Sequence, residues 1–150
     1  MRYATRATIC PTRTYKNVAS AIVLYDGLCN LCDSAVRFMV DRDRRARLHF
    51  ASLQSHVARE LLGRFGRTVD DVPASIIVID GDRIFERSAA ILHIAELLGP
   101  PWSYARVFAV FPEAFRDAVY RSIAHNRYVI FGTRKACRVP TPAEAERFLA

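Results

Sequence analysis

Ala21-Ile22-Val23-Leu24-Tyr25-Asp26-Gly27-Leu28-Cys29-Asn30-Leu31-Cys32 passes from an apolar run, through an Asp-Gly turn, to two cysteines separated by two residues. The run, with β-branched Ile22 and Val23, reads as a buried strand that Asp26-Gly27 terminates. Leu31, Ala35, Phe38 and Met39 then recur at helical spacing, which predicts a helix from Cys29 or Asn30 to about Arg42. Cys29 thereby falls at an exposed helix start, where unpaired backbone N–H groups and the positive end of the dipole favour a thiolate. Cys32 falls one turn inward, close enough to close a disulfide with Cys29. The first can attack a substrate disulfide and the second can release it. The same C-x-x-C also fits half a zinc site or two inert cysteines. Structural zinc takes four ligands, and Cys10, Cys137, His49, His56, His93 and His125 offer them at no recognisable spacing.

Outward from this stretch the pattern alternates. Leu48 to Ala51 reads as a second strand, and Val57, Leu61 and Phe65 mark a second helix closed by Gly66. Ser75 to Asp80 and Arg83 to Glu86 read as strands joined by the turn Asp80-Gly81-Asp82. Ser88 is placed to cap a helix carrying Ile91, Ile94, Ala95 and Leu98, which stops at Gly99-Pro100-Pro101. The order β-α-β-α-β-β-α over residues 21 to 98 predicts an α/β domain with a four-stranded mixed sheet, because a crossover unit followed by a hairpin supplies both parallel and antiparallel strands. The remainder reads as a helical C-terminal part over about residues 100–150, with a last helix over Pro142 to Leu149 opened by the capping pattern Thr141-Pro142-Ala143-Glu144. Trp102, Phe108, Phe111 and Phe115 are expected to pack this part onto the sheet.

Composition narrows the class. The chain has 150 residues, 51% of them hydrophobic, enough for one globular domain with a core. Its apolar runs fall short of the ~20 residues of a membrane span. Of the net charge of +7, four charges (Arg2, Arg6, Arg13 and Lys16) precede the first acid, Asp26, and over the rest the arginines mostly alternate with acids. No zinc-finger spacing, helix-turn-helix or aromatic RNA-binding motif accompanies the charge, so no nucleic-acid or membrane partner is expected. Residues 1–20 read as a flexible N-terminal extension ahead of a domain over 21–150. That extension lacks the apolar centre of a secretory signal. A cytoplasmic setting follows, with organelle targeting by the acid-free leader as the alternative, and paired cysteines in a reducing compartment point to catalysis or metal binding.

Asp26-Gly27-Leu28-Cys29-Asn30-Leu31-Cys32 resembles the signature of the DCC family of predicted thiol-disulfide oxidoreductases, named for that Asp and those cysteines. The resemblance continues through Phe50-Ala51-Ser52-Leu53-Gln54-Ser55, Val72-Pro73-Ala74-Ser75, Ser88-Ala89-Ala90-Ile91, Asn126-Arg127-Tyr128 and Cys137, covering about residues 21 to 149. It implies a thioredoxin-like fold and a dithiol site of Cys29, Cys32 and Asp26. Asp26 would then either shuttle a proton during exchange or simply make the turn out of the strand. Val72 and Pro73, expected in cis linkage against Cys29, would support the site together with Ser88. That trio also resembles the glutathione-binding half of glutathione transferases, although Arg87 stands where an acid usually lies.

The resulting expectation is a thiol-disulfide oxidoreductase with Cys29 as nucleophile and Cys32 resolving. It acts on a disulfide-bearing protein or small-thiol substrate, draws on an unidentified electron donor and needs no bound cofactor, glutathione being a candidate thiol donor. The alternative is a binding module of the same fold that holds zinc, glutathione or a partner without turnover. Cys137 is expected to be a buried small hydrophobe, and His93 a structural residue.

Overall fold

A computed structural model describes residues 20–70, 76–133, 135 and 139–149. The apolar run forms β1 (Ala21–Tyr25), and the helical spacing after it forms α1 (Asn30–Arg42). A second unit follows as β2 (Leu48–Ser52) and α2 (His56–Gly63), with Ser55 Oγ accepting from Ala58 N–H to cap the helix. The hairpin is β3 (Ile77–Asp80) and β4 (Arg83–Glu86), turned at Gly81 with φ +59°. α3 (Arg87–Leu98) leads to a 3₁₀ segment (Trp102–Val110) and to a long helix, α4 (Glu113–Phe131). α4 carries Phe115, Val119 and Ile123 along one face and ends in the apolar run Tyr128-Val129-Ile130-Phe131.

The sheet has the order β4-β3-β1-β2-β5. β1 pairs parallel with β2 (Val23 opposite Phe50) and antiparallel with β3 (Val23 opposite Val78), and β3 pairs antiparallel with β4. This is the expected mixed thioredoxin-like arrangement with one strand added. Alternation along β1 explains the layers. Val23 and Tyr25 pack with Val36 and Met39 of α1 and with Ala90 and Ile94 of α3, while Ile22 and Leu24 pack with Val57 and Leu61 of α2. Both faces of the central strand are therefore covered by helices, which is why its sequence is continuously apolar.

Three expectations need correction. The segment after Thr141 is not a helix to Leu149. Glu144 Oε2 does accept from Thr141 N–H at 3.0 Å, but the chain then makes one 3₁₀ turn (Ala145–Arg147) and a fifth strand, β5 (Phe148–Leu149), parallel to β2. The cause is Arg147, whose guanidinium pairs with Asp43, donates to Leu48 O at 3.1 and 3.2 Å and lies over Phe50. Those anchors beside β2 outweigh a local cap.

Ser88, secondly, does not cap α3. It lies inside the helix, and its hydroxyl donates to Asp117 of α4, which also accepts from Ser88 N–H at 3.4 Å. A carboxylate from another helix thus supplies the missing acceptor. Lastly, Phe108, Phe111 and Phe115 do not pack onto the sheet, being 56%, 46% and 58% exposed. Trp102 alone of the four packs tightly, edge-on against Phe38 of α1 at 4.7 Å. His93, as expected, is structural, stacked on Phe85 and paired with Asp80.

Arg147→Ala should lower stability by about 3 kcal/mol, because Asp43 would stay buried without its cation. Urea unfolding of the variant beside the parent checks this; a loss below ~1 kcal/mol would mean that β5 is not anchored as described.

Candidate functional site: a covered dithiol

The turn after β1 delivers both cysteines. Cys29 is the N-cap of α1, with extended backbone (φ −96°, ψ 123°), and its N–H donates to Asp26 O at 3.3 Å. Its own carbonyl accepts from Asp33 N–H at 3.0 Å, closing the first helical turn. Cys32 follows one turn along, close enough for Cys29 to perturb its thiol. Both are free thiols. Burial together with the neighbouring Cys29 pushes the Cys32 thiol up to about 12, against a smaller downward pull from the Asp26 backbone and Arg127.

Cys29 is not at an exposed helix start. It has no exposed surface, and Cys32 keeps 5%. The C-terminal end of α4 covers it: Cys29 forms an isolated antiparallel bridge with Thr133, and Asn30 Nδ2 donates to Phe131 O at 2.8 Å. Gly132 turns the chain here with φ +75°, and a Cβ at that position would stand 3.2 Å from Asn30 Nδ2. A helix that lies nearly a hundred residues away in sequence could not be foreseen from the local pattern.

Asp26 holds that helix in place. Its side chain is 3% exposed and every oxygen is used. Oδ1 accepts from Leu28 N–H and from Gln54 Nε2, both at 3.0 Å. Oδ2 accepts from the Tyr128 hydroxyl and from Arg127 Nη2, the latter at 3.3 Å. Gln54 Oε1 in turn accepts from Gly27 N–H at 3.2 Å, so the turn before Cys29 is braced from the end of β2. Burial alone would raise the Asp26 pKa. Hydrogen bonds from Tyr128, Leu28 and Gln54, with the Arg127 charge, overcome it and hold the carboxyl below its ordinary value. The protonated form that a proton shuttle would start from is thus disfavoured. The same contacts keep Tyr128 and Arg127 protonated, Tyr128 through burial and its bond to Asp26 and Arg127 against the opposing effect of burial.

Of the residues singled out in the sequence, Asp26, Cys29 and Cys32 come together. Val72 and Pro73, with the expected cis bond, lie outside the described residues, as do Cys10 and Cys137. Ser88 stands near Cys32 across a cavity that both line, with its hydroxyl engaged by Asp117. Gln54, Arg127 and Tyr128 are the site residues that received no role from the sequence. They were visible only as matched fragments of the family pattern, since nothing in their own neighbourhoods announces a buried partner. Among the described residues no group of three or more His, Cys, Asp or Glu is placed to hold a metal ion, and no helix is long and apolar enough to cross a membrane.

A family model described as DCC1-like thiol-disulfide oxidoreductase matches residues 23–133. The uncharacterized protein YuxK of Bacillus subtilis (strain 168) is 35% identical over 136 residues, covering 91% of this chain and 98% of the relative. The DCC family protein At1g52590 of Arabidopsis thaliana, whose name includes chloroplastic, is 38% identical over 119 residues, covering 79% of this chain and 69% of the relative. No solved structure matches the chain.

Two predictions follow from the geometry. Asp26→Asn should cost about 3 kcal/mol at neutral pH, because the buried Arg127 loses its counter-charge. A carboxylate whose folded pKa is depressed contributes stability that is fully present above its unfolded value, near 3.8, and is lost as pH falls through the folded one. The gap between parent and variant in urea unfolding should therefore hold from neutral pH to about 4 and narrow below it; a gap that widened on acidification would contradict the assigned ionisation. Asn30→Ala should loosen the cover over Cys29. Removing a hydrogen bond worth about 1 kcal/mol should speed alkylation of Cys29 by roughly fivefold, read by peptide mass spectrometry, with little change in global stability.

Proposed function

The chain belongs to the DCC1-like thiol-disulfide oxidoreductase family, and on that premise we propose that it is a dithiol-disulfide oxidoreductase working through Cys29 and Cys32. The observation that carries this reading is the C-x-x-C pair set as N-cap and first turn of α1, with the two thiols close together and a buried cation, Arg127, beside Cys32. Cys29 takes the nucleophile's part, since an anion at a helix N-cap faces unpaired N–H groups and the dipole's positive end. Cys32 takes the resolving part, because burial first and the neighbouring Cys29 second raise its pKa and keep it protonated at rest.

The exchange then balances. The Cys29 thiolate attacks one substrate sulfur, the substrate S–S bond breaks, and a mixed disulfide forms while the departing substrate thiolate takes a proton. Cys32 gives up its proton and attacks the Cys29 sulfur, releasing the second substrate thiol. The protein dithiol is oxidised by two electrons, the substrate disulfide is reduced by two, and the reverse path oxidises a substrate dithiol. Asp26 acts as a positioning residue. Its charge is neutralised by Arg127, so it does not repel the thiolate, and its four hydrogen bonds fix the turn that aims Cys29. Because Thr133 and Phe131 cover Cys29, a substrate reaches it only when the end of α4 yields. The setting we favour is the reducing cytoplasm. The Arabidopsis relative's name makes the acid-free leader the segment to test for organelle import.

Cys32→Ser should attack a disulfide once and remain covalently attached to it, whereas Cys29→Ser should neither attack nor trap. Intact-mass spectrometry after incubation with a disulfide-bearing protein reads this out. Trapping by Cys29→Ser alone would reverse the roles, and no reaction by the parent protein with any disulfide would favour a binding module of the same fold.

A further inference from the structure

A cavity among the described residues opens beside the dithiol. It measures about 740 Å³, in the range of ligand sites, and Leu31 and Cys32 form its inner end. One wall is α4, which presents Phe115, Val119 and Ile123 at successive turns, and Phe108 of the 3₁₀ segment faces it. These side chains are not spent on the core. Phe108, Phe115 and Ile123 are 56%, 58% and 50% exposed. An apolar surface of this extent left open next to a reactive sulfur marks an interaction site.

Most of the polar groups that reach the cavity are already engaged, the buried Arg127 Nε being an exception. Ser88 donates to Asp117, the Tyr120 hydroxyl accepts from Ile76 N–H at 3.2 Å, and Arg116 Nε donates to Phe111 O at 3.1 Å. Arg127 is bound to Asp26, Tyr128 and Ala124 O. A peptide backbone buried against this mostly apolar lining would lose its hydrogen bonds to water and regain few, at roughly 1–3 kcal/mol for each group left unpaired. Apolar side chains meet no such cost. The wall from Phe115 to Ile123 spans nine residues, roughly 12 Å along the helix, which matches three or four residues of extended chain. Such a segment can lower two alternate side chains into the groove and leave its backbone at the open mouth, in water.

We propose that the groove between α4 and the 3₁₀ segment selects the substrate: a polypeptide whose cystine is flanked by large apolar side chains, as in an unfolded or partly folded disulfide protein. This rests on the oxidoreductase reading and adds its substrate class. Because Cys32 lines the groove and neighbours Cys29, side chains seated there hold the substrate disulfide beside the pair, and once the end of α4 yields Cys29 attacks it with the bond changes given above. Oxidised glutathione, with four carboxylates and no apolar side chain, is a poor match for the same surface.

The test uses the full chain and disulfide-bridged peptides of equal length whose cystine is flanked either by Phe and Leu or by Ser. The parent protein should reduce the apolar-flanked peptide with at least tenfold higher kcat/KM than the Ser-flanked peptide or oxidised glutathione. Phe115→Ser and Ile123→Ser should bring that ratio towards one, and Phe115→Leu should restore it. Equal rates on both peptides, or a ratio that the substitutions leave unchanged, would overturn the proposal. A second arm separates it from the premise: the apolar peptide with Ser in place of both cysteines is titrated by calorimetry. If no disulfide reacts at all, the oxidoreductase reading falls, yet binding that Phe115→Ser abolishes would still support the groove assignment. No binding by the parent protein would overturn it. So would light scattering that finds a dimer lost in Phe115→Ser, since the face would then belong to a second copy.

Discussion

One buried carboxylate organises this protein. Asp26 sits where β1 ends, and its two oxygens are shared among the turn to Cys29, Gln54 at the end of β2, and Arg127 and Tyr128 on α4. A charge so deeply buried must be paired and hydrogen-bonded, or it would neutralise. Satisfying it therefore obliges α4 to lie against the cysteine turn. Everything distinctive about the site follows from that obligation: the cover over Cys29, the cation beside Cys32 and the wall of the apolar groove. An ion pair of this kind adds little net stability over an apolar replacement, but it admits only one geometry, and here it specifies where a helix from the far end of the chain must dock.

The same constraint separates what the sequence reveals from what it conceals. β1, α1, β2 and the β3–β4 hairpin were legible because each is specified locally, by a β-branched run, a 3.6-residue spacing or a Gly turn at Asp80-Gly81-Asp82. β5 was not. Thr141 and Glu144 make the hydrogen bond that a capping pattern promises, yet Arg147 has partners on β2 and α1 that only the folded sheet provides. Ser88 failed for the reciprocal reason. Its side chain had the chemistry of a cap, but Asp117 arrived from α4 with a stronger acceptor. Local signals survive where tertiary partners agree with them and yield where a buried charge does not.

The dithiol repeats the pattern. Cys29 and Cys32 could be placed on a helix start from spacing alone, and Asp26 could be marked by resemblance. Their burial could not. Accessibility at a helix N-terminus depends on what docks there, and Phe131 and Thr133 are about a hundred residues from Asn30 and Cys29. Likewise, Phe108 and Phe115 have the composition of core residues, yet the fold leaves them exposed and lining a groove.

Anchor and cover are different parts of the chain at the end of α4, and that division reconciles a buried dithiol with the exchange chemistry proposed above. Arg127 and Tyr128 grip Asp26 through charge-assisted hydrogen bonds, the stronger kind. Beyond them, Phe131 and Thr133 are held by one side-chain hydrogen bond and one isolated bridge, each worth about 1 kcal/mol. Fraying the last turn of α4 therefore costs far less than undocking the helix. Gly132, at φ +75°, gives the chain a turn point just beyond that helix. Cys29 can be uncovered while Asp26, Gln54 and the turn that aims it stay fixed. The protein keeps its thiols out of water at rest without dismantling the geometry that makes them useful.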